Sequence, residues 1–195
     1  MEYIIIFLPL IGSIISGFFG KNLKSNEYII SSLVLISAIL SIFIFYGVVF
    51  SDYSSNKLIF NWISSGSFVV NWSINIDSLT SVMLVVVSLI SSVIHFYSIG
   101  YMSHDPHKPR FMAYLSLFTF SMFVLITADN FLQLFFGWEG VGLCSYLLIG
   151  FWFKRPEANA AAIKAFIVNR VGDFGFAIGI FLIFIFFKTV NYNEV

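Results

Sequence analysis

Apolar residues fall into six stretches along the chain, at approximately 3–20, 28–50, 77–101, 110–128, 131–153 and 159–187. At about 1.5 Å per residue, each is long enough or nearly long enough to cross about 30 Å of hydrocarbon, so the pattern predicts six transmembrane helices. Polar residues at the joints carry helix-boundary chemistry. Asp77 and the Asp129-Asn130 pair suit the N-caps of the third and fifth helices, and Pro156 suits the first turn of the sixth. Pro9 predicts a kink in the first helix. The joint at about 51–76 is too long for a turn. Within it Phe68, Val70, Trp72, Ile74 and Ile76 alternate with Ser67, Val69, Asn71, Ser73 and Asn75, the period of a half-buried strand. Leu58, Phe60 and Trp62 repeat that period ahead of Ser64, Ser65 and Gly66. The predicted fold is an all-α integral membrane protein of about six transmembrane helices, with a short surface β-hairpin between the second and third.

Composition sharpens this picture. Hydrophobic residues make up 59% of the chain and charged ones 10%, where a soluble domain carries about 25% charge. The formal net charge of zero argues against a nucleic-acid partner or a basic surface module. A single cysteine, Cys144, supports neither a disulfide framework nor a cysteine-ligated cluster. No dinucleotide fingerprint or flavin site is present, so redox chemistry is not expected in this chain. The apolar N-terminus lacks a basic leader and a small-residue cleavage site, and reads as the first span. Basic residues gather in alternate joints: Lys21 and Lys24 in the first, Lys108 and Arg110 in the third, Lys154 and Arg155 in the fifth, with Lys164 just beyond. The positive-inside rule puts those joints in the cytoplasm or matrix and leaves the N-terminus and the hairpin on the extracytoplasmic side.

Three charged residues lie well away from the ends of their apolar stretches. Glu139, in G-W-E-G-V-G-L-C-S-Y-L-L-I-G, sits within roughly 5 Å of the centre of its span. A charge there costs about 2.5–3.5 kcal/mol on insertion, which some twenty apolar neighbours offset. Such a carboxylate either fixes packing against a neighbouring helix or marks an ion or proton path, and the second is the commoner use. Burial disfavours its charged form and a nearby cation favours it. A lysine about 6 Å away contributes about 3 kcal/mol at an effective dielectric near 20, so moving it loads or releases a proton. No such lysine is evident. Lys154 and Lys164 lie at the membrane edge and are expected to snorkel outward, so a partner is expected from beyond Val195 or from another chain.

The sixth stretch holds Arg170 and Asp173, spaced to share a helix face and to pair with each other. Whether that pair merely orients the helix or serves function stays open. Gly175 and Gly179 offer a small-residue face for helix packing. His95, close to Tyr97 and Tyr101, reads as an interfacial anchor rather than a proton carrier. His104 and His107 lie near Asp105 in a polar joint with no further ligand, and are expected to be solvated rather than metal-bound. Cys144 is expected to pack. Trp138, beside Glu139, has no role legible from sequence.

The run 137–150, followed by Ala158–Ala162, Lys164-Ala165 and Arg170-Val171-Gly172-Asp173, resembles the subunit L family of proton-pumping NADH-quinone oxidoreductases, called chain 5 in mitochondria. N-I-D-S-L-T (75–80), the stretch 95–102 and T-A-D-N-F-L-Q (127–133) agree in order and spacing. The resemblance covers essentially the whole chain. It implies a membrane-arm subunit of respiratory complex I that contributes to proton translocation coupled to electron transfer from NADH to quinone. Glu139 matches the family's proton-transfer glutamate, Asp173 the acid facing a neighbouring antiporter-like subunit, and Arg170 the basic residue beside it. It further implies residues 1–128 as an N-terminal four-helix segment and 129–195 as the incomplete start of the antiporter-like proton-translocating domain. FMN, iron-sulfur clusters and quinone are expected in partner subunits, with none in this chain. The expected location is a bacterial plasma membrane or, as the alternative, the mitochondrial inner membrane. A component of a multisubunit cation/proton antiporter, and a fragment with only an assembly role, remain as alternatives.

Overall fold

The computed structural model describes residues 1–195 except Lys24, Asp52 and Ser67. Lys24 of the first basic joint and Ser67 of the predicted hairpin therefore lie outside the described residues. In chain order come α1 (Glu2–Ile14), a π-helical turn (Ile15–Phe19), α2 (Asn26–Ser51), β1 (Ser55–Ser65), β2 (Phe68–Ile76), α3 (Ser78–Tyr101), α4 (Lys108–Ile126), α5 (Phe131–Ile149), α6 (Pro156–Phe187) and a 3-10 turn (Tyr192–Glu194). The six helical segments are each long and apolar enough to cross a membrane. This is a multi-pass membrane protein.

The predicted caps form. The Thr80 amide donates to Asp77 Oδ1 at 2.7 Å and the Gln133 amide to Asn130 Oδ1 at 2.8 Å, each satisfying a helix-end N–H. Pro156 opens α6, and Pro109 stands in the first turn of α4. The irregularity in the first span lies beyond Pro9, in the π-helical turn. There Ser16 Oγ donates to the Pro109 carbonyl at 2.7 Å and accepts from Asn26 Nδ2 at 2.8 Å. The fifth helix stops at Ile149 rather than near 153, with Gly150 as its C-cap. This trims the span so that Glu139 sits one residue, about 1.5 Å of rise, from its middle.

Helix α4 is the hub, packing against α1, α2, α3 and α5, while α6 touches mainly α5. The faces are inverted relative to a soluble bundle. On α3 the buried positions include Ser81, Ser88, Ser92, His95 and Ser98, whereas Leu79, Ile90 and Val93 point outward. Small polar residues let helices approach closely and bond across the seam, while lipid takes the large apolar side chains.

The hairpin forms as predicted, antiparallel from Ser55↔Ile76 to Ser65↔Phe68, with Gly66 at φ 59 in the turn. Val70, Ile74 and Ile76 are buried, the last two in a core with Ile5, Ile6, Ile44, Val48, Leu84 and Phe123. Leu58 and Phe60 instead face outward, because register irregularities at Leu58/Phe60 and Asn61/Ile63 break the two-residue period of β1. The hairpin is fastened to the α4–α5 joint by polar side chains. Gln133 accepts from the Ser73 amide at 3.0 Å and donates to the Ser73 carbonyl at 2.8 Å, while Asn130 donates to the Asn71 carbonyl at 2.8 Å.

The two ends of the bundle are chemically distinct. Glu2 bridges to Lys57 of the hairpin at 3.1 Å, and Phe131 and Tyr192 bond across to Val190 and Asp129, so both chain ends and the hairpin share one end. Lys108 pairs with Glu27 at 3.0 Å and Trp152 donates to Asp105 at 3.0 Å, joining the basic joints at the other. Asp105 is held below the ordinary carboxylate range, first by the His107 amide and then by the Trp152 indole.

Candidate functional site

Helix α5 sets glycines against α4 and aromatic rings against α6. A Cβ at Gly137 would stand 2.7 Å from the Leu125 backbone, and one at Gly140 2.8 Å from Ser121 Oγ. These two glycines let α5 lie close against α4. Glu139 reaches α6 instead. On α6, Phe166, Arg170 and Asp173 follow at i, i+4 and i+7 and form one stripe along the seam.

Arg170 Nη1 donates to both carboxylate oxygens of Glu139. The same Nη1 lies 3.8 Å from Asp173 Oδ2. Trp138 Nε1 donates to Asp173 Oδ1 at 2.8 Å. Aromatic pairs bracket the charges: Tyr146 and Phe166 at 5.4 Å on one side, Trp138 and Phe176 at 6.2 Å on the other. The Arg170 guanidinium also lies 4.8 Å from the Phe166 ring centroid.

This arrangement corrects the expectation that Glu139 finds no cation within the chain. Within the chain, an arginine on the next helix meets it. The predicted Arg170–Asp173 pair is present, but as the longer arm of a three-residue cluster. A guanidinium stays charged under all protein conditions, so Arg170 cannot itself give up a proton. Two acids face one fixed positive charge, and one further proton or cation brings the cluster to neutrality. The Asp173 side chain is 8% exposed, against 24% for Glu139 and 50% for Arg170. Arg170 is therefore the most exposed member of the cluster.

Sequence reasoning missed two features. Trp138 is the donor that holds Asp173. His95 is fully buried between α3 and α4 rather than interfacial. Its Nδ1 lies 2.8 Å from the Ser91 carbonyl and its Nε2 3.1 Å from Ser116 Oγ. A carbonyl only accepts, so Nδ1 carries the proton and Nε2 accepts from Ser116. The signal was present in the small polar residues spaced around His95 on α3. Tyr97 and Tyr101, its expected companions, stack on each other on the outer face.

Gly175 and Gly179 line no close contact, since a Cβ at either meets nothing within 4 Å. Cys144 is buried. His104 and His107 are exposed, and among the described residues no group of three or more His, Cys, Asp or Glu side chains is placed to hold a metal.

Six apolar helices with a carboxylate–guanidinium cluster at mid-span define a multi-pass membrane protein that holds ionisable groups inside its spans. The architecture recurs in a chain of the membrane-bound sulfane sulfur reductase, an archaeal respiratory membrane complex, with a TM-score of 0.83 at 18% identity over 97% of this chain and 38% of that one. A chain of the Mrp complex from Dietzia sp. DQ12-45-1b matches with a TM-score of 0.77 at 19% identity, over 97% of this chain and 20% of that one. At these identities the likeness is one of fold.

Sequence comparison narrows the class. Residues 62–112 match the model of the NADH-ubiquinone oxidoreductase (complex I) chain 5 N-terminus, and residues 128–195 that of the NADH:quinone oxidoreductase/Mrp antiporter transmembrane family. NADH-ubiquinone oxidoreductase chain 5 of Triticum aestivum is 56% identical over all of this chain, and that of Arabidopsis thaliana 55%. NADH-quinone oxidoreductase subunit L of Rickettsia bellii is 49% identical over 98% of it. The chain belongs to the chain 5/subunit L family of NADH-quinone oxidoreductases. It spans 29% of the length of the wheat and Arabidopsis relatives and 30% of the Rickettsia one.

Proposed function

We propose that this chain forms part of the membrane arm of a proton-translocating NADH-quinone oxidoreductase, and that Glu139, Arg170 and Asp173 are its proton-handling group. Residues 129–195 are the start of the antiporter-like domain, a division supported by the second family match beginning at residue 128. The observation that carries the mechanism is the position of Arg170 between two acids on one guanidinium edge.

When Arg170 lies on Glu139, the carboxylate is compensated and holds no proton. When Arg170 turns fully to Asp173, Glu139 is left uncompensated near the middle of the bilayer and takes one up. At an effective dielectric near 20, withdrawing the guanidinium from about 4 Å to about 6 Å weakens its attraction for the Glu139 carboxylate from about 4 to about 3 kcal/mol. Trp138 keeps Asp173 oriented to receive the guanidinium. FMN, iron-sulfur clusters and quinone belong to partner subunits in this reading, and an adjoining antiporter-like subunit covers the outward face of α6. The setting is a respiratory membrane, with the basic joints on its cytoplasmic or matrix side. The relatives include both chain 5 of Triticum aestivum and subunit L of Rickettsia bellii.

Glu139→Gln in the assembled complex tests this reading. It should lower NADH-driven proton pumping at least tenfold (about 1.4 kcal/mol or more) while the complex still assembles. Normal pumping in a correctly assembled variant would remove Glu139 from the pathway.

A further inference from the structure

A second charged site lies at the basic end of the molecule, away from the Glu139 cluster. The first turns of α4 and α6 and the α5–α6 joint enclose a cavity of about 440 Å³, lined by Arg110, Tyr114, Tyr146, Phe151, Asn159 and Ile163 among others. Among the described residues Arg110 finds few hydrogen-bond partners there. Nη2 donates to the Phe151 carbonyl at 3.1 Å, and Nε is buried with no partner. Among the described residues no carboxylate lies within 4.0 Å of Arg110, the ion pairs being Lys57–Glu2, Lys108–Glu27 and those of Arg170. The acid of the adjoining joint, Asp105, accepts from the His107 amide and the Trp152 indole and feels the Arg110 charge without pairing with it directly.

Phe151 and Phe153 hold the guanidinium in place, with ring centroids 4.7 and 5.4 Å from Cζ. A guanidinium fixed this way, short of acceptors, calls for an anion with several oxygens, and the fork of N–H groups suits phosphate. The positive ends of α4 and α6 converge on the same place. The site is at helix-end depth, and its wall continues into the apolar Leu147, Ala162 and Ile163. Aromatic rings, a cation and an aliphatic wall at this level match a lipid whose headgroup sits at the interface and whose chain runs along the helices.

We propose that this cavity binds the phosphate of a membrane phospholipid through Arg110, with an acyl chain lying along Ile163. The assembled protein carrying this chain, extracted in detergent and stripped of lipid, is titrated with phosphatidylglycerol, and bound lipid is counted by native mass spectrometry. One tightly held lipid should weaken about tenfold or more in Arg110→Gln, the loss expected for a charge-assisted contact. Ile163→Trp, which keeps the guanidinium and fills the apolar wall, should also lower retention, and it carries the test if Arg110→Gln does not fold. Unchanged retention in folded Arg110→Gln, or in Ile163→Trp, overturns the proposal. So does complete displacement of the lipid by millimolar inorganic phosphate, which would make the cavity a site for the free anion.

Discussion

At the scale of single residues, the α5–α6 seam turns on how many donors each acid receives. Among the described residues Glu139 is met by Arg170 alone, while Asp173 is met by Trp138 at 2.8 Å and by Arg170 at 3.8 Å. The two acids thus differ in how much of their charge is answered when the guanidinium moves. Trp138→Phe keeps the ring against Phe176 and removes the N–H. Hydrogen bonds to charged groups contribute about 1.5–3 kcal/mol, so that variant should slow proton pumping by roughly tenfold with the complex intact. Pumping assays on purified, assembled enzyme check it, and an unchanged rate would reduce Trp138 to packing. Of this cluster the sequence made the acids and the arginine legible, because a charge in an apolar run stands out by itself. Trp138 did not stand out, since an indole in a membrane helix is ordinary until its N–H is seen to have a partner.

At the scale of elements, close approach of α5 to α4 is what frees the other side of α5 for α6. Gly137 is the tightest point, with the Leu125 backbone 2.7 Å from where a Cβ would be. Backbone cannot step aside as a flexible side chain does. Gly137→Ala should therefore destabilise the protein by about 1–3 kcal/mol, seen as a lower midpoint in thermal unfolding in detergent. Gly142→Ala is the matched control, because its Cβ meets nothing within 4 Å. That variant should be neutral or slightly stabilising, alanine being the better helix former. The hairpin shows how far an element can be read in isolation. The alternation on β2 was legible and places Val70, Ile74 and Ile76 inward. The same alternation on β1 misled at Leu58 and Phe60, since an irregular register turns side chains to the other face and leaves no mark in composition.

At the scale of the whole molecule, the two ends differ in charge and in what they hold together. The hairpin and both chain ends share one, and Lys108, Arg110, Lys154 and Arg155 gather at the other, as the alternation of basic joints implies. Cysteines introduced at Ser64 in the hairpin and at Lys154 should be labelled by a membrane-impermeant maleimide from opposite faces of sealed vesicles. The native Cys144, the chain's single cysteine, is buried and should stay unlabelled. Labelling of both from one face would contradict the proposed topology.

What the sequence by itself determined is the set of spans, their caps at Asp77 and Asn130, the hairpin between the second and third spans, and the presence of Glu139, Arg170 and Asp173 within lipid-length helices. These follow from local chemistry: a backbone crossing hydrocarbon must satisfy its own hydrogen bonds, so apolar length and helix-end donors suffice to place it. Only the tertiary structure decided that Arg170, 31 residues away, meets Glu139. It likewise decided that His95 faces Ser116 rather than the interface, and that Arg110 enters a cavity short of acceptors. Those outcomes depend on which helices are neighbours and on their rotation about their own axes. Packing between helices sets both, through Gly137 and Gly140 where α5 meets α4 and through small polar residues on the buried face of α3, and no single stretch of sequence contains them.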